Sequence, residues 1–139
     1  MQPCAIDAQQ ESQFSLCGDV KAGFPSPAED VGDKLDLLKL LVRHKASTFF
    51  FRVSGVSMVD AGMDEGDIII VDRSISPYNG CKAVCYLDGE YTVKKVEIAS
   101  DKVRLLPANQ SNATYRPIEV TADNQFAIWG VVTFVIKKM

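Results

Sequence analysis

Thr48-Phe49-Phe50-Phe51-Arg52-Val53-Ser54-Gly55-Val56-Ser57-Met58 decides the fold. Five of its first six residues are aromatic or β-branched, the side chains that suit a pleated, half-buried surface, and they predict a strand. Gly55 then permits a tight backbone turn. Downstream, Gly66-Asp67 punctuates a second turn, and Ile68-Ile69-Ile70-Val71 predicts a strand buried on both faces. Further strands are expected at Ala83–Leu87, Tyr91–Ile98, Lys102–Leu106, Ile118–Val120 and Phe126–Ile136. Leu87-Asp88-Gly89-Glu90 reads as a hairpin turn, because Asp-Gly tolerates the positive φ such turns need. Many short strands with close turn signals predict a mainly β domain with a curved, barrel-like sheet.

Upstream of this stretch the pattern changes. Leu35, Leu38, Leu41 and Val42 recur at helical spacing, so one short helix is expected there. Ser26 or Pro27 leads it in, Glu29 and Asp30 suit its N-terminus, and Arg43, His44 and Lys45 suit its C-terminus. Gly23-Phe24-Pro25-Ser26-Pro27 favours extended backbone. Residues 1–22 are polar and aperiodic apart from Phe14 and Leu16, and they read as a flexible N-terminal arm. The division expected is therefore an arm over 1–22 and a β-rich domain over 23–139.

Composition narrows the function. The 139 residues fit one domain with a tail, and a hydrophobic content of 47% suffices for an ordinary core. A net charge of -3 argues against a broad basic face for DNA, so direct sequence-specific DNA binding is not expected. The cysteines Cys4, Cys17, Cys81 and Cys85 form no CxxC pair and have no histidine cluster beside them. Free thiols of a reduced protein are expected, with no metal and no cofactor. The N-terminus lacks the basic and apolar regions of a signal peptide. Phe126–Ile136 is far shorter than the ~20 apolar residues of a membrane helix. The expectation is a cytoplasmic protein without membrane attachment.

Three short segments carry candidate chemistry. His44 is the only histidine and sits among Arg43 and Lys45, so a Ser-His-Asp triad is not expected. Serine is activated by a neutral lysine in other hydrolases. Free lysine, with a pKa of about 10.4, is a poor base at neutral pH, and burial lowers that value. Lys94 and Lys95 lie on one predicted strand and must face opposite ways. Alternation groups Lys94 with Thr92, Val96 and Ile98, and Lys95 with Tyr91, Val93 and Glu97; the first set contains no acid and favours Lys94 as the buried one. Two ordinary surface lysines remain the competing reading. Ser57 follows the turn at Gly55, where backbone N–H groups can be aimed at an oxyanion. A routine Ser/Gly turn competes with that. Ala22-Gly23 minimises steric conflict on entering a cleft, and plain linker chemistry competes with a scissile role.

Taken together these segments resemble the UmuD/MucA group within the LexA-type self-cleaving serine peptidases. Gly23-Phe24-Pro25-Ser26-Pro27-Ala28 is similar to the segment after that group's cleavage point. Ser54-Gly55-Val56-Ser57-Met58 resembles its nucleophile box, Gly66-Asp67-Ile68-Ile69-Ile70-Val71-Asp72 its next strand, and Tyr91-Thr92-Val93-Lys94-Lys95 its lysine box. The resemblance covers nearly all of the chain after about residue 20, and the interval from Ser57 selects Lys94 over Lys95. It implies Ser57 as nucleophile, Lys94 as general base, the Ser57 backbone N–H in the oxyanion hole and Ala22-Gly23 as the bond cut. It further implies a homodimer whose cleavage is stimulated by RecA filaments on single-stranded DNA. The shortened form would join a UmuC-type DNA polymerase subunit in error-prone synthesis after DNA damage. Only about 22 residues precede the cut, so the DNA-binding domain of a LexA repressor is not expected. The arm carries three acids against one base, Asp7, Glu11, Asp19 and Lys21, so its loss changes net charge little and the switch is expected to be steric. Two other classes compete: a non-catalytic β module that dimerises and holds a polymerase, and a signal-peptidase-like enzyme, which needs a membrane anchor.

Overall fold

Phe51 is buried and Phe49 half-buried, and they pair across to Ile69 and Val71 on the next strand. Directly opposed residues share a face, so these four side chains start one core layer. The computed structural model describes residues 4–5, 13–25 and 33–139. In chain order its strands and helix are β1 (Cys4–Ala5), β2 (Gln13–Leu16), β3 (Asp33–Asp36), α1 (Leu37–Leu41), β4 (Thr48–Arg52), β5 (Ile68–Asp72), β6 (Lys82–Leu87), β7 (Glu90–Ile98), β8 (Val103–Leu106), β9 (Ile118–Val120) and β10 (Phe126–Ile136). Short 3₁₀ turns occupy Lys45–Ser47 and Val59–Ala61. The chain divides into two compact units, Asp7–Arg43 and His44–Met139, the second including β1.

The larger unit is an eight-stranded sheet in the order β1-β4-β5-β10-β6-β7-β8-β9, with every neighbouring pair antiparallel. It packs a core on each face. Phe51, Val53, Met58, Met63, Ile69, Val71 and Val84 fill one. Cys81, Ala83, Cys85, Val96, Leu105 and Val131 fill the other. Ile69, Ile70 and Val71 are each at most 2% exposed, which fits a central strand covered on both sides. β10 is the spine between β5 and β6, and its register shifts twice, between Ile128 and Gly130 and between Val132 and Phe134. Such irregularities bend a strand and increase its twist. Asp88 and Gly89 close the β6–β7 hairpin with φ of 48° and 89°, the two positive values of a type I′ turn.

The mainly β fold and its turns agree with the sequence pattern to within a residue or two. The helix differs. Leu35 lies in β3, opposite Phe14 on β2, and α1 runs only from Leu37 to Leu41. Asp36 caps it by accepting the Lys39 N–H at 3.2 Å. Long-range strand pairing overrides the helical spacing at Leu35. Arg43, His44 and Lys45 fall beyond α1, and Ser26, Pro27, Glu29 and Asp30 lie outside the described residues. Within residues 1–22, β1 and β2 are strands that the polar composition did not suggest.

Candidate active site

The loop after β4 and the middle of β7 meet in a cleft of 190 Å³. Gly55 makes the loop possible. Its φ is 90°, and no atom lies within 4 Å of where a Cβ would stand, so the demand is conformational rather than spatial. Met58, 1% exposed, then pins the loop into the core directly after Ser57. Ser57 itself is half-buried. Its C=O accepts the Ala108 N–H at 2.7 Å, while its own N–H donates to no group among the described residues.

Lys94 reaches Ser57 from the hairpin. Register places it opposite Ala83, and Thr92 opposite Cys85, on the face that carries Val96. Lys95 is exposed, as strand alternation requires. Lys94 Nζ lies 3.0 Å from Ser57 Oγ, 2.7 Å from Thr92 Oγ1 and 3.2 Å from the Val93 C=O. Burial pushes the Lys94 ammonium below its ordinary range. No acidic residue lines the cleft. Cys85 supplies no counter-charge, because burial foremost, then Cys81, push its thiol up to about 12 despite Lys94 nearby.

This arrangement has a chemical consequence. An ammonium has three donors, and three acceptors surround Nζ. Loss of one proton leaves two donors for Thr92 and Val93 and a lone pair for the Ser57 hydroxyl. The neutral amine is therefore held ready to accept the serine proton. Phe51 and Tyr91 wall the cleft, and Trp129 backs both edge-on at 5.3 and 6.3 Å. Such aromatic packing stiffens the wall.

Ala22 and Gly23 sit in an exposed bend over residues 22–24, with Phe24 93% exposed. They belong to the Asp7–Arg43 unit, and Ser57 and Lys94 to the other.

His44 is not on a helix. It precedes the 3₁₀ turn Lys45–Ser47, and its Nδ1 contacts Asp72 Oδ2 at 2.6 Å. Ser74 Oγ approaches that same nitrogen at 3.0 Å. A triad needs the acid and the serine on opposite ring nitrogens, so this cluster is structural. Burial drives the Asp72 carboxyl up, but hydrogen bonds from His44, Ser74 and Ser47 outweigh it and bring the value to about 2.

With the chain's one histidine engaged there, the chemistry open to Ser57 is that of serine hydrolases in which lysine replaces histidine. Comparison with known proteins leads to the same class. Residues 15–133 match the model of the Peptidase S24-like family, and the chain belongs to that family. It is a serine peptidase of the LexA-type, self-cleaving kind. The chain is 40% identical over 118 residues to Protein SamA of Salmonella typhimurium (strain LT2), covering 84% of this chain and 79% of that protein. It is 39% identical over 116 residues to Protein MucA of Escherichia coli, covering 82% and 77%. Similarity to the LexA repressor of Xylella fastidiosa (strain M12) is 36% over 127 residues, covering 91% of this chain and 59% of the repressor. Among the described residues no helix is long and apolar enough to cross a membrane.

Proposed function

We propose that the chain cuts its own backbone at Ala22-Gly23, with Ser57 as nucleophile and Lys94 as general base. The observation that carries this reading is the 3.0 Å approach of Lys94 Nζ to Ser57 Oγ in a cleft without an acid. Neutral Lys94 takes the Ser57 proton as Oγ attacks the Ala22 carbonyl carbon. The tetrahedral oxyanion is held by the Ser57 N–H. Lys94 returns the proton to the Gly23 nitrogen as the peptide bond breaks. Water, deprotonated by Lys94, then hydrolyses the Ala22 ester and frees Ser57. The bend at residues 22–24 must straighten to enter the cleft.

In the cell this reaction serves mutagenic tolerance of DNA damage, as for UmuD/MucA-type proteins. Cleavage occurs in the cytoplasm and is stimulated by RecA filaments on single-stranded DNA. The body over 23–139, as a homodimer, becomes the accessory subunit of a UmuC-type error-prone polymerase. Intact mass is the test, read before and after incubation with RecA, an ATP analogue and single-stranded DNA, beside Ser57→Ala and Lys94→Ala. A new species starting at Gly23 in the wild type alone is expected. Full-length protein in all three, with RecA active on another target, would make the chain a non-catalytic binding module.

A further inference from the structure

A second loop grips the nucleophile loop from behind. Asn109 Nδ2 donates to the Val56 C=O at 2.8 Å. Next to it, the Ala108 N–H donates to the Ser57 C=O at 2.7 Å, and the Asp60 N–H donates to the Ala108 C=O at 2.7 Å. The Gln110 N–H closes the grip on Asp60 Oδ2 at 2.6 Å. The Asn109 amide is set in one sense, because of its two ends only the nitrogen can donate to the Val56 carbonyl, which leaves Oδ1 to accept from Ser111 Oγ at 3.0 Å. The Val56 carbonyl also receives the Val59 N–H, but at a long 3.4 Å. Asn109 is its short, directed partner.

Peptide geometry turns this contact into a statement about Ser57. Among the described residues no peptide bond is cis. In a planar trans peptide, C=O of one residue and N–H of the next point in opposite directions. Fixing the Val56 C=O toward Asn109 therefore fixes the Ser57 N–H away from it. That N–H has no acceptor among the described residues. The neighbouring peptide is fixed likewise, through Ala108, by backbone alone. Only the Val56–Ser57 plane depends on a side chain.

We propose that Asn109 is a positioning residue that aims the Ser57 N–H at the oxyanion by anchoring the Val56 carbonyl. This rests on the reading of Ser57 as nucleophile and oxyanion donor. Asn109 touches neither the scissile bond nor Lys94 in this scheme, so it sets the height of the rate profile and not its position on the pH axis.

The test is the first-order rate of self-cleavage of the full chain without helper, across neutral to alkaline pH, with Tm recorded for each variant. Asn109→Ala is expected to lower the alkaline plateau on the order of 10- to 100-fold, less than outright loss of an oxyanion donor. The pH midpoint is expected to stay where the wild type has it. Asn109→Asp keeps the volume and the Ser111 contact but loses the donor, and is expected to be at least as slow. Asp60→Ala loosens the same loop while sparing the Val56 contact, and is expected to stay within about threefold of wild type. Wild type that cuts, with Asn109→Ala and Asn109→Asp cutting equally fast, overturns the assignment of Asn109 alone. An equal fall in Asp60→Ala, or a shifted midpoint in both Asn109 variants, overturns it in favour of general loop order. Wild type that stays whole at every pH overturns the dyad reading together with it.

Discussion

Lys94 is the residue on which the proposed chemistry turns, and its environment makes a directional prediction. Burial holds its ammonium below the ordinary lysine range, so the neutral fraction grows as pH rises through that lowered value. Self-cleavage without helper is expected to accelerate with pH and level off below the ~10.4 of a free lysine. A rate flat from neutral to alkaline pH would remove lysine as the base. Thr92→Val takes away the 2.7 Å acceptor that orients Nζ, and a fall of roughly tenfold in the plateau rate is expected. Asp72 makes a prediction about stability instead. Its folded value of about 2 lies below the unfolded value of 3.8, so its contribution is present above pH ~4 and lost as pH falls toward 2. That contribution is about 2 kcal/mol. Asp72→Asn should therefore flatten the acid limb of unfolding free energy against pH while lowering stability at neutral pH. An acid limb as steep as wild type would assign acid unfolding to other carboxylates.

At the scale of elements, β10 is the most exacting strand. A Cβ at Gly130 would stand 2.5 Å from Val71 Cγ1 and 3.2 Å from Arg73 Cγ, at the buried centre of β10. Gly130→Ala is expected to destabilise by about 1–3 kcal/mol, read from urea midpoints, with the m-value unchanged. A neutral result would mean that β5 and β10 separate freely at this point. The strands were legible in the sequence because alternation and turn residues are local signals, and Asp88-Gly89 announces its hairpin within four residues. The helix was half legible. Leu35 satisfies the three-residue spacing, yet its backbone pairs with Phe14, and no local window contains that partner. Ser57 and Lys94 were legible as two boxes with a spacing. Asn109 was not, because its partner is a backbone carbonyl 53 positions away, which leaves no trace in side-chain pattern. The Ser47, Ser74, His44 and Asp72 cluster escaped because His44 and Ser47 meet Asp72 from 28 and 25 positions away, outside any local window.

For the whole molecule, holding a lysine largely buried opposes folding. Between its lowered folded value and its unfolded one, the unfolded chain binds more protons, so this opposition eases as pH rises. Lys94→Met is expected to abolish cutting yet raise Tm at neutral pH by roughly 2–4 °C, the signature of a site built for chemistry rather than stability. An unchanged or lower Tm would mean that the three hydrogen bonds at Nζ already offset its burial. The division of the chain into two units carries a last consequence. Ser57, Lys94 and Asn109 all lie in His44–Met139, whereas Ala22 and Gly23 lie in Asp7–Arg43. Scission at Ala22-Gly23, as proposed, uses up a bond and none of the parts that cut it. Each molecule then stores a single bit, set once and never reset, and a population of them becomes a tally of past exposure, readable as the ratio of two chain lengths.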